Sequence, residues 1–328
     1  LNAVNELEKK INISNKDTVI EAVAYTWFNR FTALQYMDLN GFNDVRVIMP
    51  IKDKNRPEIL SNAFVGVFDN KLISGKTKNI VSDLLNGKLS SNNPEKEAYK
   101  FLLISVCNKL HFKMPFLFEK IEDYTELLIP DDLLSKTSII EKIRNVITID
   151  NCRDVEIIGW LYQFYISEKK EEVIGKVVKS EDIPAATQLF TPNWIVKYMV
   201  QNTIGAKWFE TYPDSSLREQ MEFYVEPAEQ TDEVKSKLRE ITPTILNPEE
   251  LTLMDPACGS GHILVEAYEI FKAIYLEQGY QLREIPKLSL EKNLFGLDID
   301  QRAAQLTTFA LIMKGRKDDR RLLDRGIK

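Results

Sequence analysis

Eight consecutive residues, Asp255-Pro256-Ala257-Cys258-Gly259-Ser260-Gly261-His262, concentrate the residue types that could do chemistry in this chain. Gly259 and Gly261 let the backbone approach a ligand closely and adopt conformations closed to other residues. A helix is predicted to start just after them, and its first N–H groups would be open to a carboxylate or phosphate. Further along, Asp298 closes a second short apolar run and can accept hydrogen bonds from two adjacent ribose hydroxyls. A glycine loop followed by a carboxylate one strand later points to an adenosine-type ligand. Two details choose among such ligands. The dinucleotide fingerprint needs a third glycine where this chain has Leu264. The loop also opens on acidic Asp255, which would repel a pyrophosphate. A carboxylate there suits the ammonium and sulfonium cations of S-adenosylmethionine, which carries no phosphate.

Each of these residues also has a plainer role open to it. Asp255 could cap a helix, and so could Asp298 or Asp300, with capping the better reading for Asp300. Cys258 and His262 could be imagined as a nucleophile and its base, but no orienting third group is evident.

The elements that must position these residues can be read from apolar spacing. Leu251–Met254 and Leu294–Leu297 read as short strands, each ending at an aspartate. Helices are expected from Ile263 through Tyr275 and from Ala303 through Leu311. Strand, loop, helix, strand, helix is the opening of a parallel α/β sheet, whose ligands sit beyond the carboxyl ends of the strands. Upstream the texture is helical. Ile20, Val23, Ala24, Trp27, Phe28, Phe31, Leu34 and Met37 form a stripe from Thr18 to Leu39, read as core, with a stop at Asn40-Gly41. Further helices are predicted over Pro94–Leu110, Lys136–Asn145 and Asp154–Tyr165, and a short strand over Val45–Ile51. The run Glu168-Lys169-Lys170-Glu171-Glu172 reads as a solvated helix face or a linker. His111 stands alone, so a structural or surface role is expected for it. The domains expected are therefore a mainly helical one at 1–180, with no visible catalytic constellation, and a second at 181–328.

Bulk properties set outer bounds. The 328 residues are 44% hydrophobic and 28% charged, enough for a substantial core and about two domains. No apolar run approaches the roughly 18 residues that span a bilayer, and no signal-peptide layout opens the chain. Cys107, Cys152 and Cys258 lack the paired spacing of zinc or disulfide sites, which fits a reducing, cytoplasmic setting. No metal site is expected. The net charge of −6 comes from residues 181–328, although Lys314–Lys328 is locally basic. An acidic total does not exclude DNA, since only the face meeting phosphate matters.

The loop at 255–262 resembles motif I of amino-methylating DNA methyltransferases, and Asn293-Leu294-Phe295-Gly296-Leu297-Asp298-Ile299-Asp300 resembles their motif II. The segment from Gln188 to Val200, with Phe190-Thr191-Pro192, resembles motif X placed before motif I. Trp27–Leu34, Gly159–Lys170 and Ile183–Pro192 narrow the likeness to the PglX-type adenine-specific methyltransferases of BREX phage defence, related to fused restriction–modification enzymes. The likeness runs through nearly the whole chain and is sharpest from about 155 to 315.

The resemblance implies an α/β Rossmann-like S-adenosylmethionine-dependent methyltransferase core, incomplete here and preceded by a mainly α-helical domain. It implies N6 methylation of adenine in a short site of double-stranded DNA, with other defence-system subunits as partners. Residue by residue, Asp255, Pro256, Ala257, Cys258, Gly259, Ser260 and Gly261 would hold the methionine part of the cofactor. Asp298 would bind the ribose, Ile299 would lie against the adenine, and Thr191 with Pro192 would close the pocket.

The family's Asn/Asp-Pro-Pro-Tyr/Phe motif, which presents a flipped-out adenine, is not found. Asn93-Pro94 and Asn247-Pro248 are each followed by glutamate. No catalytic residue is therefore assigned, and the chain is expected to be an N-terminal fragment that transfers no methyl group alone. The alternatives kept open are an RNA or protein methyltransferase, a non-catalytic cofactor-binding scaffold in a defence complex and, more distantly, an NAD-dependent oxidoreductase.

Overall fold

A computed structural model describes residues 2–51, 55–118, 124–153 and 156–327. The chain divides into two compact units that part between Ile157 and Ile158.

The first unit is helical. Its main elements are α1 (Asn2–Ile13), α2 (Lys16–Leu39), α3 (Glu58–Phe64), α4 (Gly75–Leu85), α5 (Pro94–Leu110) and α6 (Ile139–Val146). Asn15 caps α2 by accepting from the Thr18 amide at 2.8 Å. The helix stops as predicted. Gly41 takes a φ of +63°, and the Phe42 amide returns to the Met37 carbonyl at 2.9 Å, the closure a left-handed glycine permits.

The expected apolar stripe on α2 describes only half of what is observed. Ile20 and Ala24 are exposed, whereas every residue from Asn29 to Asp38 is buried, polar ones included. The second half of α2 is enclosed all round, which an amphipathic pattern cannot announce.

Val45–Ile51 is not a strand. Its amides turn inward instead. Val47 donates to Asp38 Oδ1 at 3.0 Å, while Ile48 and Met49 donate to Oδ2 at 2.6 and 3.0 Å. Asn43 Nδ2 adds a fourth bond at 2.8 Å. A buried carboxylate has taken the donors that a strand would have spent on a ladder. His111, at the end of α5, pairs its Nδ1 with the Phe118 carbonyl at 2.9 Å, a structural role. Among the described residues, no group of acidic, histidine or cysteine side chains could hold a metal ion. No described helix is long and apolar enough to cross a membrane.

The second unit takes in nearly all of α7 (Glu156–Val173). This helix runs on through the charged stretch read as a helix face or linker; Asp154, its predicted start, lies outside the described residues. Next come α8 (Asn193–Val200), a π-helical turn at Gln201–Gly205, α9 (Ala206–Thr211) and α10 (Asp232–Ile241). Then follow β1 (Leu253–Asp255), α11 (His262–Glu277), β2 (Leu294–Gly296) and α12 (Gln301–Asp318). The two strands pair in parallel, Leu253 against Leu294 and Asp255 against Gly296. Parallel neighbours need a crossover, and α11 supplies it. Its inner face buries Leu264, Ala267, Tyr268, Phe271, Ile274 and Tyr275. A lysine–carboxylate network ties α11 to α12: Lys272 and Tyr268 both reach Asp318, at 2.7 and 2.8 Å.

Candidate cofactor site

β1 ends at Asp255 because Pro256 cannot continue the ladder. Two further bonds carry the pairing past the strand ends and dock the loop. The Leu297 amide donates to the Asp255 carbonyl, and the Cys258 amide to the Leu297 carbonyl, both at 2.9 Å. Gly259 and Gly261 then adopt φ of +53° and +90°, conformations that favour glycine. Gly261 leads into α11, whose N-terminus receives no side-chain cap.

The Gly259 peptide is gripped at both ends. Its N–H donates to Asp298 Oδ2 at 2.7 Å, and its carbonyl accepts from Thr307 Oγ1 on α12 at 2.7 Å. The other Asp298 oxygen accepts the Asp300 amide at 2.8 Å. Each carboxylate oxygen has a second lone pair, so Asp298 retains acceptor capacity for a pair of hydroxyls. Asp300 caps α12 through the Arg302 amide at 2.9 Å, the role expected of it.

Asp255 is 8% exposed and accepts from the Ala257 amide at 3.1 Å. Burial holds its carboxyl above the usual carboxylate range; the Ala257 amide pulls it down, and the Asp298 charge adds to the rise. A cation bound beside it would reverse that shift. The sign follows from linkage: affinity for a cationic ligand is full above the free-state pKa and falls as pH drops through it. We therefore expect affinity to start falling at a higher pH than a carboxylate of pKa 3.8 would give. Calorimetric titrations across acid to neutral pH check this, and Asp255→Asn should flatten the profile.

Cys258 is buried, and burial pushes its thiol up to about 11, with Asp298 and Asp255 adding to the effect and Thr307 opposing it. A thiol held in its protonated form is a poor nucleophile. The nucleophile–base reading of Cys258 and His262 gains nothing from this geometry. The His262 ring instead meets Phe190 edge to face, with centroids 4.9 Å apart. Phe190 leads through half-buried Thr191 and exposed Pro192 into α8. Ile299 is 71% exposed, so its side chain is available to a planar ring.

A cavity of about 420 Å³ runs beside β1, lined by Met199, Thr203, Ile204, Lys207 and Leu251–Pro256. It takes in Asp255 and Pro256 but neither Asp298 nor Thr191. Asp255, the glycine loop and Asp298 thus come together, while of these only Asp255 and Pro256 line the cavity. The two Asn-Pro pairs are caps. Asn93 accepts from the Lys96 amide and Asn247 from the Glu249 amide, each at 3.0 Å.

Sequence reading missed several residues that shape the loop. Thr307 falls inside the helix expected from Ala303 through Leu311, and a hydroxyl among Ala303, Leu306 and Ala310 is the local signal that marks it. Gln188 Nε2 lies 3.3 Å from where a Gly259 side chain would begin. Gly159 also abuts the loop, with Ser260 Oγ 2.8 Å from its own would-be Cβ.

The loop has the features that a small cationic adenosine ligand needs. Two carboxylates lie beside it, two glycines give it backbone turns of positive φ, and 255–262 holds no lysine or arginine to receive a phosphate.

Comparison with known proteins places the chain among sequences similar to DNA methyltransferases. Residues 228–325 match the family model described as MmeI, DNA-methyltransferase domain. Over 98% of its length the chain is 52% identical to adenine-specific methyltransferase BrxX of Escherichia coli O9:H4 (strain HS). Over 92% of its length it is 38% identical to adenine-specific methyltransferase PglX of Lacticaseibacillus casei (strain Zhang). The chain spans 26% of the length of each of these relatives.

Proposed function

With the chain a homologue of the PglX-type adenine-specific methyltransferases, we propose that it forms the S-adenosylmethionine-binding part of an enzyme that methylates N6 of adenine in DNA. The observation that carries this reading is the glycine loop fixed between Asp255 and Asp298 with no lysine or arginine in it. In this proposal β1, α11 and β2 begin a Rossmann-like sheet. Asp255 and the backbone from Pro256 to Gly261 receive the charged amino-acid end of the cofactor. Asp298 accepts from the ribose hydroxyls, Ile299 covers the adenine, and Thr191 with Pro192 closes the near side. When bound, the cofactor supplies a methyl group on a positively charged sulfur. The role of this chain's residues is to orient that group and to favour cationic over phosphate-bearing adenosine ligands. Double-stranded DNA as acceptor, in a phage-defence setting inside the cell with companion subunits, belongs to the same proposal.

The test is calorimetry of S-adenosylmethionine with the chain. We expect measurable binding that NAD does not displace. Asp255→Ala should abolish it, and Asp298→Ala should weaken it roughly tenfold or more, the scale of a lost hydrogen bond to a charged group. Unchanged affinity in both variants would remove the assignment.

A further inference from the structure

The buried face of α7 bears on the loop and on the aspartate after β2, a relation that nothing in the motif pattern announces. Gly159, Tyr162, Ile166, Lys170 and Val173 follow one another at steps of three and four, so they share one side of the helix. At Gly159 that side abuts the loop, where a Cβ would stand 2.8 Å from Ser260 Oγ and 3.1 Å from the His262 ring. At Lys170 the Nζ reaches the Gln188 carbonyl at 2.6 Å. Between them, Tyr162 is fully buried and its hydroxyl donates to Asp300 Oδ2.

A helix cap needs only one side-chain oxygen, and Asp300 already spends Oδ1 on the Arg302 amide. The Tyr162 bond therefore adds something besides capping. It fixes the side chain of the residue whose backbone N–H orients Asp298 Oδ1. From Tyr162 the chain of contacts runs through Asp300 to Asp298, and from Asp298 to the Gly259 amide.

We propose that Tyr162 is a positioning residue for ribose recognition, acting through Asp300 to hold the Asp298 carboxylate in its accepting orientation. This rests on the reading of Asp298 as the ribose acceptor. Tyr162 does not touch the cofactor. Its hydroxyl removes the freedom of the β2–α12 turn to rotate Asp298 away from the loop.

The experiment uses the whole chain and two ligands, S-adenosylhomocysteine and its 2′,3′-dideoxyribose analogue, titrated by calorimetry. Wild type should prefer the ribose ligand. Tyr162→Phe keeps the ring and removes only the hydroxyl. It should cut that preference about fivefold, the worth of one buried hydrogen bond, and leave the dideoxy ligand's affinity nearly unchanged. Equal weakening toward both ligands would mean general loosening and would overturn the proposal, as would no change toward either. If wild type binds the two ligands equally, the ribose role of Asp298 fails first and takes this inference with it. Should Tyr162→Phe not fold, Asp300→Ala carries the same test, since it removes the acceptor of the Tyr162 hydroxyl and leaves Asp298 and its backbone donors in the sequence.

Discussion

Gly261→Ala should lower cofactor affinity at least tenfold and reduce the melting temperature of the chain. Two costs add at this position. The residue sits at φ +90°, where an L side chain is strained by about 1–2 kcal/mol. A Cβ there would also lie 2.8 Å from Thr307 Cγ2 and 2.9 Å from its Oγ1, an overpacking worth about 1–3 kcal/mol. Thr307 cannot give way without releasing the Gly259 carbonyl that it holds at 2.7 Å. The clash is therefore passed on to the part of the loop that faces the ligand. Gly279→Ala is the control. Gly279 has φ +82° but nothing within 4 Å of a would-be Cβ, so it should lose some stability and keep full affinity. Thr307→Ala placed on Gly261→Ala should recover melting temperature without recovering binding, because it relieves the clash but not the lost bond. Binding titrations and thermal melts on the three variants decide the matter; an unaffected Gly261→Ala would mean that the loop can relax around a side chain.

Asp38→Ala should destabilise the first unit by about 3–5 kcal/mol, the range for leaving buried polar partners uncompensated. Asp38 is 4% exposed and receives the amides of Val47, Ile48 and Met49 together with Asn43 Nδ2. Burial pushes its carboxyl pKa up, and the four donors pull it back toward the ionised form. Truncation leaves three backbone N–H groups inside the protein without an acceptor. Asp38→Asn should be milder but still costly, since both carboxylate oxygens are in use and an amide offers only one acceptor. Denaturant melts that follow the first unit measure both. A loss under about 1 kcal/mol for Asp38→Ala would show that water reaches the 47–49 amides.

What was legible in the sequence differs between the two units for a physical reason. In the second unit, local spacing settles much of the structure. A short apolar run ending in Asp-Pro, glycines where φ turns positive and a long apolar helical face are all decided by neighbours in sequence. β1, α11, β2 and α12 lie close to their expected places, and Asp300 caps as read. In the first unit, the helices over 94–110 and 16–39 were readable, yet the 45–51 segment was not. Its apolar residues suggested a strand, but Asp38, on a different element, claimed its amides. A competing acceptor nine or more residues away leaves no trace in the alternation of side chains.

The opening loop shows the same division. By itself the sequence determined a glycine-bearing turn after a strand, an acidic residue at its head and a second carboxylate one strand later. Those features fix the charge and the openness of the loop, because they depend on residue type and short-range backbone freedom. Only the tertiary structure decided what holds the loop in shape. Thr307 grips Gly259 from α12, Gly159 leaves room for Ser260 and His262, and Tyr162 reaches Asp300 across 138 residues. These are contacts between elements distant in the chain, and side-chain spacing along any one of them cannot encode which partner folding will bring to its face.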